Sequence, residues 1–130
     1  MAETTLHAFY SRYLAALNAR DFHSMHEFIH DQVTLNGDPA SRDDILAVQR
    51  QDAEAVSDLC WTLVHLIVDG NRLGARLVNT GTPAKTFTGV APTGKSFEVT
   101  QYAVYRVIDG RFKHMATIRD AEAIAQQLSN

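Results

Sequence analysis

The spacing of hydrophobic residues changes from a helical period to an alternating one near residue 59. Before that point, apolar side chains recur every three or four positions over residues 6–17, which predicts an amphipathic helix. Its apolar stripe consists of Leu6, Phe9, Tyr10, Tyr13, Leu14 and Leu17. A shorter second helix is predicted after Asp21, which suits an N-cap. A third is predicted over about residues 42–56, because Ser41 and Asp44 have the spacing of a capping box.

After residue 59, apolar positions alternate in the manner of β-strands. Strands are predicted over residues 59–68, 73–82, 97–108 and 111–119, with a shorter one at 33–35. Asp109-Gly110 is a strong hairpin signal, whereas the prolines and glycines of residues 83–96 predict a long loop. A short helix is predicted from Ala121 to Leu128. This order predicts an α+β fold, with three N-terminal helices packed on a strongly curved antiparallel sheet and a space between the two layers for a small apolar ligand.

Composition narrows the possible partners. The chain has 130 residues, 45% of them hydrophobic, and 12 Lys and Arg against 15 Asp and Glu. We expect one soluble domain over residues 1–130. Scattered basic residues in an acidic chain argue against nucleic-acid binding, and the lack of a long apolar run argues against a membrane span. The first five residues lack the features of a signal peptide, which favours the cytoplasm, and the single cysteine, Cys60, is expected to be buried.

The last predicted strand carries the strongest candidates for chemistry. Strict alternation places Phe112, His114, Ala116, Ile118 and Asp120 on one face, which is apolar enough to face the helices. A carboxylate enclosed there would hold its proton more tightly than usual, which suits Asp120 to proton transfer. Two other interpretations remain open. Asp120 has about even odds of being only the N-cap of the last helix, and a structural His114 is slightly favoured over a catalytic one.

Other residues are weaker candidates. Gln101 lies on the apolar face of its strand and needs a polar partner, either a neighbouring side chain or a ligand. His26 lies on the apolar face of the second helix and is a possible pocket residue. His23, His26 and His30 superficially resemble a metal set, but no accompanying ligand pattern supports one, so no metal is predicted. A phosphate-binding loop and a nucleophile elbow are also missing, which leaves acid–base chemistry or binding alone.

Short motifs along nearly the whole chain resemble those of one family. Asn18-Ala19-Arg20-Asp21-Phe22 is similar to its N-A-G-D, and His30-Asp31-Gln32-Val33 is similar to its H-P-D-V. Its G-T-H…F-x-G-x-P-P-T-G-K stretch is matched in part by Gly81-Thr82, Phe87-Thr88-Gly89 and Pro92-Thr93-Gly94-Lys95. Its ending is matched in part by Asp109-Gly110-Arg111, Asp120 and Gln127-Leu128. In order and spacing the chain resembles the SnoaL-like polyketide cyclase family of the nuclear transport factor 2-like superfamily.

The resemblance implies a cone-shaped α+β fold with a deep apolar pocket. It also implies ring closure by intramolecular aldol condensation, without a metal or an organic cofactor. The family's acid–base aspartate would correspond to Asp120. His114 and Ala116 stand where the family usually has Glu and Trp, so the pocket is expected to be larger or differently shaped, and the substrate to differ.

The leading hypothesis is a cofactor-independent cyclase or isomerase, in the lyase or isomerase class, acting in secondary metabolism. Asp120 would remove a proton next to a carbonyl of an apolar small molecule, and His114, Gln101 and Tyr13 would stabilise the enolate. The remaining expected substrate-binding residues are His26, Trp61, Phe97 and Ala116. The alternatives are a non-catalytic small-molecule-binding or dimerisation module, and a dehydratase or ketosteroid-isomerase-like enzyme. The resemblance also implies a homodimer through the outer sheet face, which is expected to carry Tyr102, Val104 and Met115.

Overall fold

The computed structural model describes residues 3–129, so the two ends of the predicted 1–130 domain lie outside the described residues. Helices α1, α2 and α3 span Glu3–Asn18, Arg42–Ala55 and Ala121–Leu128. The strands are β1 (Ile29–Leu35), β2 (Asp38–Ser41), β3 (Cys60–Asp69), β4 (Arg72–Gly81), β5 (Phe97–Ile108) and β6 (Arg111–Arg119). Within residues 3–129, every helix is too short or too polar to cross a bilayer.

All six strands form one sheet in the order β2-β1-β6-β5-β4-β3. The predicted α+β class is confirmed, but the sheet is mixed, because β1 pairs with β6 in parallel while the other neighbours are antiparallel. The chain leaves β1 through β2 and α2 before the β3–β6 meander brings β6 back beside β1. Strand β3 lies at the sheet edge, where Cys60 is exposed, so the prediction of a buried thiol is wrong.

Local sequence signals explain most element boundaries. Ser41 and Asp44 form the predicted capping box, with the Asp44 amide 3.1 Å from Ser41 Oγ and the Ser41 amide 2.9 Å from Asp44 Oδ2. Asp109 and Gly110 both have positive φ and form the predicted hairpin turn between β5 and β6. The second helix is a single 3-10 segment over Phe22–Glu27, and the Asp21 side chain accepts a hydrogen bond from the Ser24 hydroxyl but from no backbone amide of the segment.

The core lies between α1 and the inner face of the sheet. Its densest part is a cluster of buried aromatic rings, which includes Phe9, Tyr10, Tyr13, Tyr105 and Phe112. The hydroxyls of Tyr10 and Tyr105 lie 3.0 Å apart, and burial raises the pKa of Tyr10 to about 12. Tyr13 and Tyr105 also border a cavity, so this rigid cluster supports one wall of the site described below.

A β-bulge in β6 decides which of its side chains face the helices. Val107 of β5 pairs with Phe112, but the preceding Arg106 pairs with His114, which leaves Lys113 without a cross-strand partner. One extra residue in a strand reverses the alternation of every side chain beyond it. The inner face of β6 therefore carries the even-numbered Phe112 before the bulge. After the bulge it carries three odd-numbered residues, Met115, Thr117 and Arg119.

The predicted face of β6 is consequently wrong beyond Phe112. Ala116 and Ile118 are exposed on the outer face, Ile118 to 70%, and His114 lines an outer groove together with Ala116. Met115, expected outside, is buried inside. The alternation rule failed here because it assumes an unbroken period of two, and the bulge breaks that period at Lys113.

Candidate functional site

A cavity of about 100 Å³ lies between α1, α2 and the inner face of the sheet. Its lining is mostly apolar, with contributions from Leu14, Leu17, Ile45 and Leu77. The polar side chains that reach it are Tyr13, Gln49, Asp52, Gln101, Thr117 and Arg119. An apolar cavity with a few convergent polar groups is the usual form of a small-molecule site. The volume is well below the roughly 300–1,000 Å³ of pockets that enclose drug-sized ligands, so a compact ligand or one end of a larger one fits.

Asp52 and Arg119 form the charged part of the cavity wall. Asp52 lies on α2 and Arg119 ends β6, and Arg119 Nη1 is 3.6 Å from Asp52 Oδ2. Burial raises the pKa of the Asp52 carboxyl, and the arginine opposes that effect without cancelling it. Burial likewise lowers the pKa of Arg119, opposed by Asp52. The cavity thus holds a carboxylate that is a stronger base than an ordinary aspartate.

Two neighbours hold the Arg119 guanidinium in place. Its Nε donates to Asn79 Oδ1 at 2.6 Å, and Asn79 is completely buried on β4. The guanidinium carbon also lies 5.2 Å from the centroid of the Phe87 ring, within the range of a cation–π contact. Phe87 is in turn stacked on Phe97, with ring centroids 5.4 Å apart. Because Asn79 occupies the Nε hydrogen, the terminal nitrogens remain for Asp52 and for a ligand.

Uncharged polar side chains, among them Tyr13, Gln49 and Gln101, also line the cavity. Gln49 Nε2 donates to the Tyr13 hydroxyl at 3.1 Å, and burial raises the pKa of Tyr13, which keeps that hydroxyl neutral. Gln49 Oε1 and Gln101 Oε1 are buried and have no hydrogen-bond partner among the described residues. The cavity therefore offers both neutral and charged hydrogen-bonding groups within an apolar lining.

The residues selected from sequence separate into two groups. Tyr13, Trp61 and Gln101 line the cavity. Phe97 does not, but it supports Phe87 behind Arg119. His26 lies exposed on the 3-10 segment, with Nδ1 3.0 Å from the His23 carbonyl oxygen. Ala116 is exposed on the outer face of the sheet, so its small size does not enlarge the cavity, contrary to expectation.

The two expected catalytic residues also lie away from the cavity. Asp120 is exposed, and its Oδ1 accepts a hydrogen bond from the Ala123 amide at 3.0 Å, which makes it the N-cap of α3. His114 is half-buried on the outer face, with Nδ1 2.8 Å from Thr34 Oγ1. The enclosure expected for Asp120 is missing because the bulge reversed the strand face.

Sequence reasoning missed Asp52, Gln49, Asn79 and Arg119. A signal existed for three of them. Gln49 and Asp52 follow Ile45 at i+4 and i+7 and so share its buried helix face, and Asn79 continues the inward-facing alternation of β4. Nothing in the pattern of β6 marked the bulge that turns Arg119 inward.

No three His, Cys, Asp or Glu side chains within residues 3–129 are arranged to hold a metal ion.

Residues 7–128 match the family model for SnoaL-like polyketide cyclases. The chain therefore belongs to the SnoaL-like polyketide cyclase family. No curated protein matches it in sequence.

Solved structures share the fold over nearly the whole chain. A SnoaL-like polyketide cyclase from Agrobacterium tumefaciens is 27% identical with a TM-score of 0.89, and the alignment covers 95% of this chain and 98% of that one. IdmH from Streptomyces antibioticus is 27% identical with a TM-score of 0.84, covering 93% and 96%. TsrD from Streptomyces laurentii is 24% identical with a TM-score of 0.89, covering 99% and 98%.

Proposed function

We propose that the protein is a cofactor-independent enzyme of the cyclase or isomerase type, which moves a proton next to a carbonyl of an apolar small molecule. One observation carries the proposal. Asp52, a carboxylate whose pKa is raised by burial, shares an apolar cavity with the hydrogen-bond donors of Arg119 and Tyr13. A base with a raised pKa and fixed donors for a developing negative charge are the two requirements of enolate chemistry.

In this mechanism the ionised Asp52 removes a proton from the carbon beside the carbonyl. The electron pair of the broken C–H bond moves to the carbonyl oxygen, and Arg119 and Tyr13 donate hydrogen bonds to the resulting enolate. The enolate then attacks a second carbonyl of the same molecule to close a ring, and the alkoxide formed takes the proton from Asp52. Alternatively, the enolate takes the proton back from Asp52 at another carbon to complete an isomerisation. The apolar lining excludes water from the enolate.

The proposal moves the acid–base role from Asp120 to Asp52. Asp120 and His114 face away from the cavity, whereas Asp52 borders it. Tyr13, Trp61 and Gln101 keep their proposed substrate-binding roles, because all three line the cavity. Secondary metabolism in the cytoplasm remains the proposed setting, in keeping with the family of the chain.

A proton-exchange measurement tests the proposal before the substrate is known. The rate at which a small aromatic ketone takes up deuterium beside its carbonyl is followed by NMR in heavy water, with the wild type and two variants. Asp52→Asn is expected to lower the enzymatic exchange rate at least about a hundredfold, because an amide cannot accept the proton. Asp120→Asn is the matched control and should keep the rate, since asparagine is also a good N-cap. Loss of exchange in Asp120→Asn but not in Asp52→Asn would overturn the assignment.

A non-catalytic binding module is the second candidate function. The observation that favours it is the cavity itself, which at about 100 Å³ is small for a polyketide in this conformation. Binding of the ketone without any wild-type acceleration of exchange would support this alternative. A dehydratase or ketosteroid-isomerase-like reaction would begin with the same proton removal and is separated from cyclisation only by analysis of products.

A further inference from the structure

The turn that ends helix α1 has an arginine at a position that favours glycine. The Asp21 amide donates to the Ala16 carbonyl oxygen at 2.9 Å. The Arg20 amide donates to the Leu17 carbonyl oxygen at 3.1 Å, and the two bonds together form a Schellman motif. Arg20 has a φ of 61°, in the left-handed region that is unfavourable for a residue with a β-carbon. A residue persists there where its surroundings hold it in place, so the contacts of the Arg20 side chain require an explanation.

The Arg20 side chain extends to the segment where strand β3 begins. Its Nη2 donates to the carbonyl oxygens of Ser57 and Leu59 at 2.9 and 2.7 Å. Its guanidinium carbon lies 5.6 Å from the centroid of the Trp61 ring, within the range of a cation–π contact. Trp61 is buried and lines the cavity, whereas Arg20 is not one of the lining residues. The guanidinium therefore contacts the indole from the side that faces away from the cavity.

The backbone of Trp61 is held by a different residue of α1. Strand β3 is at the sheet edge, so one side of it lacks a neighbouring strand. Asn18 Oδ1 accepts from the Trp61 amide and Asn18 Nδ2 donates to the Trp61 carbonyl oxygen, each at 2.9 Å. Asn18 thus fixes the backbone of Trp61 through its own contacts. What Arg20 adds is restraint of the ring, which is the part of Trp61 that a ligand would contact.

We infer that Arg20 is a positioning residue of the cavity, which holds the Trp61 indole in one orientation so that it forms a fixed wall for a ligand. The planar guanidinium binds two carbonyl oxygens and lies on an aromatic ring at the same time, which a lysine ammonium cannot do. A fixed indole also reduces the entropy that is lost when a ligand binds. The inference rests on the proposed function only for the effect on catalysis, since the order of the indole and the affinity for a ligand do not depend on a reaction.

Arg20→Gly tests the inference, because glycine suits the left-handed turn and keeps the backbone while the guanidinium is removed. Trp61 is the only tryptophan of the chain, so its indole N–H gives a single NMR signal. The order parameter of this N–H, measured by nitrogen relaxation, is expected to fall from about 0.85 in the wild type to below about 0.6 in Arg20→Gly. An indole that stays as ordered as in the wild type would overturn the inference.

Arg20→Lys distinguishes positioning from an effect of charge. It keeps the strained turn and a positive charge at the C-terminal end of α1, where a cation is favourable. Because lysine lacks the planar fork, the order parameter of the indole should lie closer to that of Arg20→Gly than to that of the wild type. A value closer to the wild type would show that the charge is enough, and would contradict the positioning role.

Two variants elsewhere in the fold are the controls. Asp109→Gly also replaces a left-handed residue by glycine, in the turn between β5 and β6. Ile124→Ala removes buried apolar volume from α3 and should lower the melting temperature. Neither residue lines the cavity, so both variants should keep the wild-type order of the indole. Loss of order in Ile124→Ala would show that indole mobility follows stability, and would overturn the inference.

Binding of acetophenone, titrated through the same indole signal, measures the consequence for the cavity. Arg20→Gly is expected to weaken binding about three- to tenfold, because the ligand must then also immobilise the indole. Unchanged affinity together with a mobile indole would contradict the role of a fixed wall. The same titration in an Asp52→Asn background excludes any contribution from turnover.

Catalysis is measured separately from binding. In Arg20→Gly the KM for deuterium exchange should rise by the same factor as the dissociation constant, while kcat changes by less than about twofold. The reason is that the Arg20 side chain contacts the start of β3 and not Asp52 or Arg119. A mobile indole with weaker binding, in a protein whose wild type does not accelerate exchange, would sustain the positioning role and contradict the proposed enzyme. Wild-type exchange with an unchanged indole in Arg20→Gly would do the reverse.

Discussion

At the scale of single residues, the cavity depends on how Asp52 and Arg119 modify each other. Their closest charged atoms are 3.6 Å apart, and both side chains retain some solvent exposure, so the direct ion pair is weak. Burial is the larger influence on both pKa values. Arg119 therefore moderates the basicity of Asp52 instead of simply neutralising it. The arginine favours the ionised carboxylate, while burial raises its pKa.

Replacing Arg119 by Met is expected to raise the pKa of Asp52 further. The arginine favours the ionised carboxylate, so its removal leaves the desolvation unopposed. Proton exchange needs ionised Asp52, so its rate should rise with pH through this pKa, and the inflection should move to higher pH in Arg119→Met. The pKa is measured from the carboxyl carbon resonance of Asp52 in an NMR titration. An unchanged or lower value would contradict the argument.

Glu54 on the same helix is the internal control. An exposed ion pair with Lys85 lowers the pKa of Glu54. Arg119→Met should leave that pKa in place, whereas Lys85→Met should raise it and leave the pKa of Asp52 unaffected.

The raised pKa of Asp52 also makes the free energy of unfolding depend on pH. The folded pKa of Asp52 exceeds its unfolded value of about 3.9, so the group costs stability as pH rises from there through the folded pKa.

Residue identity alone predicted only part of this site. Tyr13, Trp61 and Gln101 were identifiable because each is a large or polar side chain on a clearly apolar face. The enclosed environment expected for Asp120 did not form, because it depended on a strand parity that one unpaired residue, Lys113, reverses. Arg119 was assigned to the outer face by the same error. Its buried partner Asn79 did carry a local signal, because it continues the inward-facing alternation of Leu73, Ala75 and Leu77 along β4.

At the scale of elements, the sequence signals that act between neighbouring residues predicted the structure correctly. The capping box and the Asp109-Gly110 turn each act between neighbouring residues, and both formed as predicted. The parallel pairing of β1 with β6 joins residues about eighty positions apart, and no local pattern determines it. The bulge at Lys113 belongs to this second class, because an extra residue is recognised only from the register of the neighbouring strand.

Gly81, at the end of β4, packs closely against the segment that follows α2. A β-carbon at this position would lie 2.3 Å from Val56 Cγ1 and 3.4 Å from Leu59 Cα. Val56 is fully buried, so it has little room to move. Gly81→Ala is therefore expected to lower the free energy of unfolding by about 1–3 kcal/mol, measured by urea denaturation.

Two variants check the cause of this effect. A β-carbon at Gly74 meets nothing within 4 Å, so Gly74→Ala should be neutral or slightly stabilising. Val56→Ala removes the methyl group that collides, so Gly81→Ala should cost less in that background than in the wild type. If Gly81→Ala lowers the free energy of unfolding equally in both backgrounds, the contact with Val56 is not the cause.

At the scale of the whole molecule, the bulge in β6 affects both faces of the sheet together. The same reversal that turns Arg119 into the cavity turns Ile118 and Ala116 outward. There they join other exposed apolar side chains, namely Val64, Ile67, Tyr102 and Val104. We call these six residues the outer apolar face. A patch of this kind on a monomer usually marks an interaction surface. Through the bulge, the interface expected for a homodimer gains Ala116 and Ile118 and loses the buried Met115.

Val104→Lys is expected to convert a homodimer into a monomer. Val104 is 59% exposed in the outer apolar face, and the exposed Arg72 and Arg106 lie in the same groove, so another cation would add repulsion to lost apolar contact. Light scattering after gel filtration should give the wild type twice the 14.4 kDa chain mass and the variant the single-chain mass. Ala125→Lys, exposed on α3, is the control and should stay dimeric. A wild type of single-chain mass at micromolar concentration would refute the dimer, and ketone binding that survives in Val104→Lys would show that the cavity is complete within one chain.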